Sequence, residues 1–290
     1  MRKRIINLYL ACIGNERGKF LSLFRSLFFI LSLFYLLAIK IRWLIYKYGL
    51  IRQFQLPSTV ISVGNITWGG TGKTPAVIMI AKQLQEMGKR VAVLSRGYRR
   101  NRKHKKNDIL VVSDGETVIS SPREAGDEAF LLAKNLPGVP IIVGKNRVRS
   151  GKYAMEKFAS EVLILDDGFQ YWHLKKDLEI LTIDSLNPYG NGYLIPRGQL
   201  REPISHLSRG EIFLLTRTEL VSRNVLGTLI TELHNLNPKA IILETVHQPK
   251  CLESLLSGEK KGLNFIEDRK VVAFSSIGNP YFFEKTLENL

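Results

Sequence analysis

The chain has 290 residues, 45% of them hydrophobic and 23% charged, with 42 Lys+Arg against 26 Asp+Glu and a formal net charge of +16. That balance excludes a disordered chain, and the two cysteines, Cys12 and Cys251, stand in no spacing that would build a disulfide framework or a zinc module. The cationic surplus points to an anionic partner: nucleic acid, acidic lipid or a phosphorylated substrate.

The first element is apolar. Ser26 to Ile39 carries no charge and is bounded by Arg25 on one side and by Lys40 and Arg42 on the other; Trp43 to Tyr46 adds a second apolar stretch. The run is shorter than the roughly 20 residues that a spanning helix needs. Ile39-Lys40-Ile41-Arg42 is no cleavage site for a secretory signal. Arg2, Lys3, Arg4, Arg17 and Lys19 precede the run, and Lys40, Arg42, Lys47 and Arg52 follow it. Positive charge on both flanks favours a helix lying in the interface over one that crosses, with Lys and Arg reaching anionic headgroups. A single span and a core helix of a soluble domain are the alternatives. Residues 1–55 are therefore expected to form a membrane-associated helical segment.

Val60 to Thr74 reads VISVGNITWGGTGKT. A short β-branched run, a glycine-rich turn and a helix opening on Lys73 and Thr74 form the layout of a phosphate-binding P-loop. Gly69, Gly70, Thr71 and Gly72 let backbone N–H groups curl round a polyphosphate, and the helix N-terminus adds its dipole. Lys73 supplies a charge for the outer phosphates, and the Thr74 hydroxyl is placed to ligate Mg²⁺. The usual pattern has a glycine five residues before Gly72; here that residue is Thr67.

Arg90 to Ser95 predicts the next strand, making a βαβ unit and a parallel sheet. The basic loop Arg96 to Arg100 leaves its carboxyl end, where open α/β sheets bind ligands. Asp108 to Val112 and Glu116 to Ile119 predict a small hairpin. Arg123-Glu124-Ala125-Gly126-Asp127-Glu128 opens a helix to about Asn135, its acidic residues being either first-turn caps or functional groups. Pro140 to Val143 is a strand, followed by Gly144 to Arg149 leading into another helix. Val162 to Asp167, VLILDD, has the apolar run ending in aspartate that a P-loop ATPase uses as its second metal motif, opposite the Thr74 hydroxyl. Strands at Leu178–Ile183 and Ile212–Leu215, a helix at Glu219–Leu236, and strands at Ala240–Thr245 and Val271–Phe274 complete the reading. A boundary near Arg217 to Val221 divides a core at 56–217 from a smaller C-terminal lobe at 218–290. The fold class is α/β: a P-loop NTPase-like, mostly parallel sheet flanked by helices, with the N-terminal membrane-associated helix and the smaller lobe appended.

These blocks, SVGNITWGGTGKTP, LSRGYRR, GDEA, GKNR, LILDDGFQ, DLEILTID, PYGNGYLIPRGQLREP and SSIGNP, resemble in order the tetraacyldisaccharide 4'-kinases, the lipid A 4'-kinases of Gram-negative bacteria. Their glycine loop likewise lacks the first P-loop glycine. The resemblance implies a kinase moving the γ-phosphate of ATP, with Mg²⁺, to the 4'-hydroxyl of an acylated glucosamine disaccharide at the cytoplasmic face of the inner membrane. It implies Lys73 and Thr74 as nucleotide and metal residues, Asp166 and Asp167 as the metal motif, and Asp127 as catalytic base beside Glu128. It also associates Tyr98, Glu128, Arg147, Arg201 and Glu202 with substrate or transferring phosphate. Family members continue past IGNP to an Asp-His-His segment whose histidine pairs with the GDE aspartate. None of His104, His173, His206, His234 and His247 has that context, which implies a shortened form or an unpartnered aspartate. A membrane-associated P-loop ATPase switch is the competing reading. No nucleic-acid partner is expected, because much of the surplus charge lies in the membrane-flanking segment and the 99–106 loop.

Overall fold

A computed structural model describes Gly14 and residues 18–97, 109–275, 280–288 and 290. Eight strands form one sheet: β1 (Thr59–Gly64), β2 (Val91–Ser95), β3 (Ile109–Ser113), β4 (Ile141–Gly144), β5 (Val162–Asp166), β6 (Leu178–Asp184), β7 (Ile212–Thr216) and β8 (Ile241–Glu244). Their order is β3-β4-β2-β5-β1-β6-β7-β8, parallel throughout except for β3, which runs antiparallel to β4 on one edge.

The central strands are apolar at successive positions because both faces of the sheet are covered. Val63, Val93, Ile141, Ile164 and Ile180 face one side, packed under α2 (Lys73–Glu86) and the C-terminal part of the helical 122–135 segment. Leu94, Ile142, Leu163 and Leu165 face the other, under α5 (Arg147–Phe158). Farther along that side, Leu181, Phe213 and Leu215 pack under α6 (Arg223–Leu236). The sheet continues across the expected boundary at 217/218, since β8 pairs in parallel with β7 from Ile212↔Ile241 to Leu215↔Glu244.

Several local expectations are corrected. The helix expected from Arg123 to Asn135 is two, α3 (Pro122–Ala125) and α4 (Asp127–Asn135), broken at Gly126, whose φ of 87° leaves the helical region. The hairpin is reduced to an isolated bridge, Ser113↔Val118, because β3 finds its partner in β4. The helix expected from Glu219 starts at Arg223, capped by the Ser222 hydroxyl accepting from Val225 N; a 3-10 turn covers Thr218–Leu220. Val271–Phe274 is no strand: Val272 and Phe274 are exposed, and among the described residues no neighbouring strand supplies a ladder. Beyond β8 lie only the short pair β9 (Leu252–Glu253) and β10 (Lys260–Lys261), a 3-10 turn at Leu263–Ile266, and α7 (Pro280–Glu288) among the described residues.

The apolar N-terminal run is longer than its uncharged stretch implies. α1 (Lys19–Lys47) has 29 residues, about 43 Å at 1.5 Å per residue. By length and composition it could cross a membrane. Arg25, Lys40 and Arg42 do not interrupt it; Arg42 instead docks on the core, its guanidinium 4.7 Å from the Trp172 ring centre. The face carrying Ser32, Tyr35, Ile39, Trp43 and Tyr46 packs toward the sheet domain, where Tyr46 meets Trp172 and Trp43 meets His206. Leu33, Leu37 and Leu44, on the opposite side of the helix, are exposed.

Candidate functional site

β1 and β5 are neighbours in register, with Val63 opposite Asp166. The loop after β1 and the aspartates after β5 therefore meet at the carboxyl edge of the sheet. Gly64 ends β1 because Phe169 crosses directly over it; a Cβ there would lie 2.6 Å from the Phe169 Cβ. Gly72 precedes α2 at φ 83°, and a Cβ on it would press on Thr216 at 3.0 Å. These two glycines bring the loop close against β5's return and β7's end.

The loop is pinned from outside by the 185–203 segment. Thr67 bridges Leu200, Trp68 N donates to Gln199 O at 2.7 Å, and Arg201 N donates to Ile66 O at 2.7 Å. The residue that replaces the usual first glycine is thus buried in a strand-like contact. Arg217, after β7, donates to Gly70 O at 2.8 Å and pairs with Asp184.

Beside the loop opens a cavity of about 350 Å³, lined by Gly69 to Ala76, Met79, Glu128, Asp166, Leu214, Thr216, Arg217 and Thr245 to His247. Its size suits a nucleotide-scale ligand. Its far wall comes from the ends of β7 and β8, so residues on both sides of the expected domain boundary line it.

The two aspartates divide. Asp166 is buried, accepts from Ser95 Oγ at 2.9 Å, and is pushed up to about 6 by burial. Asp167 has both carboxylate oxygens held by Arg201, at 2.9 and 2.7 Å, with Lys73 Nζ 3.7 Å away. Although burial opposes it, that pairing draws Asp167 down to about 2. Burial lowers Lys73 from the ordinary lysine range, while Asp167, Asp166 and Glu128 act in the opposite sense.

Asn65, not singled out by the motif reading, joins these groups. Its side-chain oxygen accepts from Lys73 Nζ at 3.2 Å and from Arg201, and its side-chain nitrogen donates to Thr71 Oγ1 at 2.8 Å. Its main-chain oxygen accepts from Gln170 Nε2 at 2.8 Å and from Arg201 Nη2 at 3.2 Å. A polar residue directly after an apolar strand was the available signal.

The other expected residues fall in different places. Glu128 lines the cavity; Asp127, one residue earlier at the start of α4, is exposed. Arg147 is buried behind Asp166, its guanidinium donating to Gly144 O at 2.9 Å and Asp166 O at 3.4 Å. Glu202 is 2% exposed and turned into the fold, one oxygen meeting His206 Nδ1 at 2.7 Å and Arg209 Nη2 at 2.8 Å. Tyr98 lies outside the described residues. His247, without family context in the sequence, lines the cavity.

Known proteins give a consistent comparison. A family model for tetraacyldisaccharide-1-P 4'-kinase (LpxK) matches residues 24–290. A tetraacyldisaccharide 4'-kinase from Syntrophus aciditrophicus is 41% identical over 275 residues, 93% of this chain and 73% of that protein. One from Halothermothrix orenii is 41% identical over 268 residues, 89% and 69% of the two. Among solved structures, "apo" form LpxK from Aquifex aeolicus in complex with ATP is 33% identical, with a TM-score of 0.73 over 92% of this chain and 78% of that one. The P-loop, the paired aspartates and the match across nearly the whole chain make it a member of the tetraacyldisaccharide-1-phosphate 4'-kinase family.

Proposed function

We infer that this chain is a lipid kinase that moves the γ-phosphate of ATP to the 4'-hydroxyl of a tetraacylated glucosamine disaccharide 1-phosphate, a step in lipid A synthesis. The observation that carries this reading is the convergence of Lys73, Asp166, Glu128 and the glycine loop on one cavity at the carboxyl edge of the sheet.

The polyphosphate of ATP sits in the loop from Gly69 to Thr74, against backbone donors and Lys73. The base side extends toward Thr245–His247, where the cavity continues. Arg201, held by Asp167 and Asn65 beside Lys73, adds a second positive charge for the transferring phosphate. Thr74 and Asp166 would hold Mg²⁺. The fit is chemical: both line the cavity, and burial leaves Asp166 a carboxylate in need of a cation. When bound, Mg²⁺ neutralises charge on the phosphate oxygens. Asp167, engaged by Arg201 on both oxygens, serves to organise the two cations. Asp127 accepts the proton of the 4'-hydroxyl as its oxygen bonds to the γ-phosphorus and the β–γ bridge breaks, releasing ADP. Glu128, next to it, lines the cavity and acts electrostatically on Lys73.

The acceptor is lipid-borne, and the exposed leucines of α1 give the protein an apolar surface for the membrane that carries it. The requirement for ATP supports action at the cytoplasmic face of the inner membrane. Acceptor-dependent ADP formation tests the function. ADP release that rises on adding the disaccharide lipid supports the kinase; release indifferent to the lipid supports a P-loop ATPase switch.

A further inference from the structure

The docked face of α1 touches the site through the main chain of two residues that themselves bind Asn65. Tyr35 Oη donates to Arg201 O at 2.9 Å. Arg42 Nη2 donates to Gln170 O at 3.1 Å. On their other sides, Gln170 and Arg201 converge on the main-chain oxygen of Asn65, and Arg201 grips Asp167. Asn65 in turn meets Lys73 and Thr71 of the phosphate loop.

Neither contact serves attachment to lipid. Leu33 and Leu37, 49% and 54% exposed, lie on the opposite side of the helix from Tyr35. Burial alone would be met by phenylalanine at position 35, as it is by the apolar residues around it. The hydroxyl is spent on one carbonyl, and that carbonyl belongs to the residue whose guanidinium lies 2.7 Å from Asp167. A helix that moved off the core would release the Arg201 main chain on one side and loosen the backbone from which the guanidinium reaches Asp167. Positioning errors of this kind appear in turnover rather than in ground-state binding.

We propose that Tyr35 is a positioning residue for Arg201, so that docking of the lipid-facing helix on the core sets the rate of phosphate transfer as well as access to the acceptor. The proposal rests on the reading of Arg201 as a charge for the transferring phosphate.

Transfer is measured with the full chain in mixed micelles of detergent and tetraacyldisaccharide 1-phosphate. Retention on phosphatidylglycerol–phosphatidylethanolamine vesicles and thermal melting are measured alongside. Tyr35→Phe is expected to lower kcat about two- to tenfold, the scale of one hydrogen bond, with acceptor KM, vesicle retention and melting midpoint unchanged. Leu37→Ser is expected to do the reverse, weakening retention and raising acceptor KM while kcat holds. An unchanged kcat in Tyr35→Phe, or a loss that appears in KM, retention or melting instead, overturns the proposal. Arg201→Lys separates the two ideas. Full turnover in that variant removes the reading of Arg201, whereas an impaired Arg201→Lys beside a fully active Tyr35→Phe removes the positioning role alone.

Discussion

Arg201 holds both carboxylate oxygens of Asp167, at 2.9 and 2.7 Å, across 34 residues of sequence. The same carboxylate lies 3.7 Å from Lys73 Nζ. One acidic group thus keeps two cations side by side at the mouth of the phosphate loop. Such bidentate pairing fixes a guanidinium plane as well as its charge, and this is why Arg201→Lys is not a conservative change here.

Lys73→Ala removes one of those cations and its bonds to Asn65 and Asp167. We expect transfer to fall by about 10²–10³-fold, the effect of deleting a comparable electrostatic donor. Near-normal turnover in a steady-state assay would contradict the assignment of the loop.

Asp127→Asn is close to isosteric but cannot take a proton. Transfer should drop about 10²–10⁴-fold while ATP affinity, read by titration calorimetry, stays within experimental scatter. Glu128→Gln is the companion variant, because Glu128 and not Asp127 lines the cavity. If Glu128→Gln carries the larger loss in transfer and Asp127→Asn keeps full activity, the base is Glu128.

Asp166 gives a pH dependence whose sign follows from its raised pKa. Folding favours its protonated form, so its contribution to stability is full below the ordinary carboxylate value near 4 and is lost as pH rises through about 6. Without nucleotide, Asp166→Asn should therefore melt higher than the unaltered chain at pH 7, the gap closing toward pH 4. Asp167 behaves in the opposite sense, contributing stability above its ordinary value that is lost as pH falls toward about 2. For ATP, Mg²⁺ should strengthen binding above pH 6 and lose that effect below it, since the metal must displace the Asp166 proton. An Mg²⁺ effect that is flat from pH 5 to 8 would remove Asp166 from the metal site.

On the membrane side, Leu33→Ser with Leu37→Ser should reduce vesicle retention at least tenfold, since burying one leucine contributes about 1.5–3 kcal/mol. Sedimentation with phosphatidylglycerol vesicles reads this directly. Unchanged retention would mean that the exposed leucines face something other than lipid.

What was legible in the sequence is local. Gly69 to Thr74 declare themselves because a strand, a glycine turn and a helix follow one another without a break. The VLILD run is legible because four apolar residues and a closing aspartate share one strand, and β5 does lie beside β1. The tetraacyldisaccharide kinase family was readable from several such blocks in order. Pairing over distance was not. Nothing in the spacing of Arg201 and Asp167 says that they meet, and Tyr35 is one apolar-helix residue among many until its hydroxyl is seen on Arg201 O. Glu202 follows Arg201 in the same motif yet turns the other way, into His206 and Arg209. The C-terminal region misled for a related reason. β8 belongs to the main sheet, and the apolar Val271–Phe274 run has the composition of a strand but, among the described residues, no neighbour to pair with.

The central claim is that the strand-edge cavity delivers phosphate to a lipid hydroxyl and not to water. The most direct measurement is the ratio of labelled lipid to ADP, with γ-labelled ATP, Mg²⁺ and tetraacyldisaccharide 1-phosphate in micelles. A ratio near one, with the label on the 4'-position and both products lost in Lys73→Ala, is what this account predicts. ADP formed at a steady rate with no label on the lipid would contradict it.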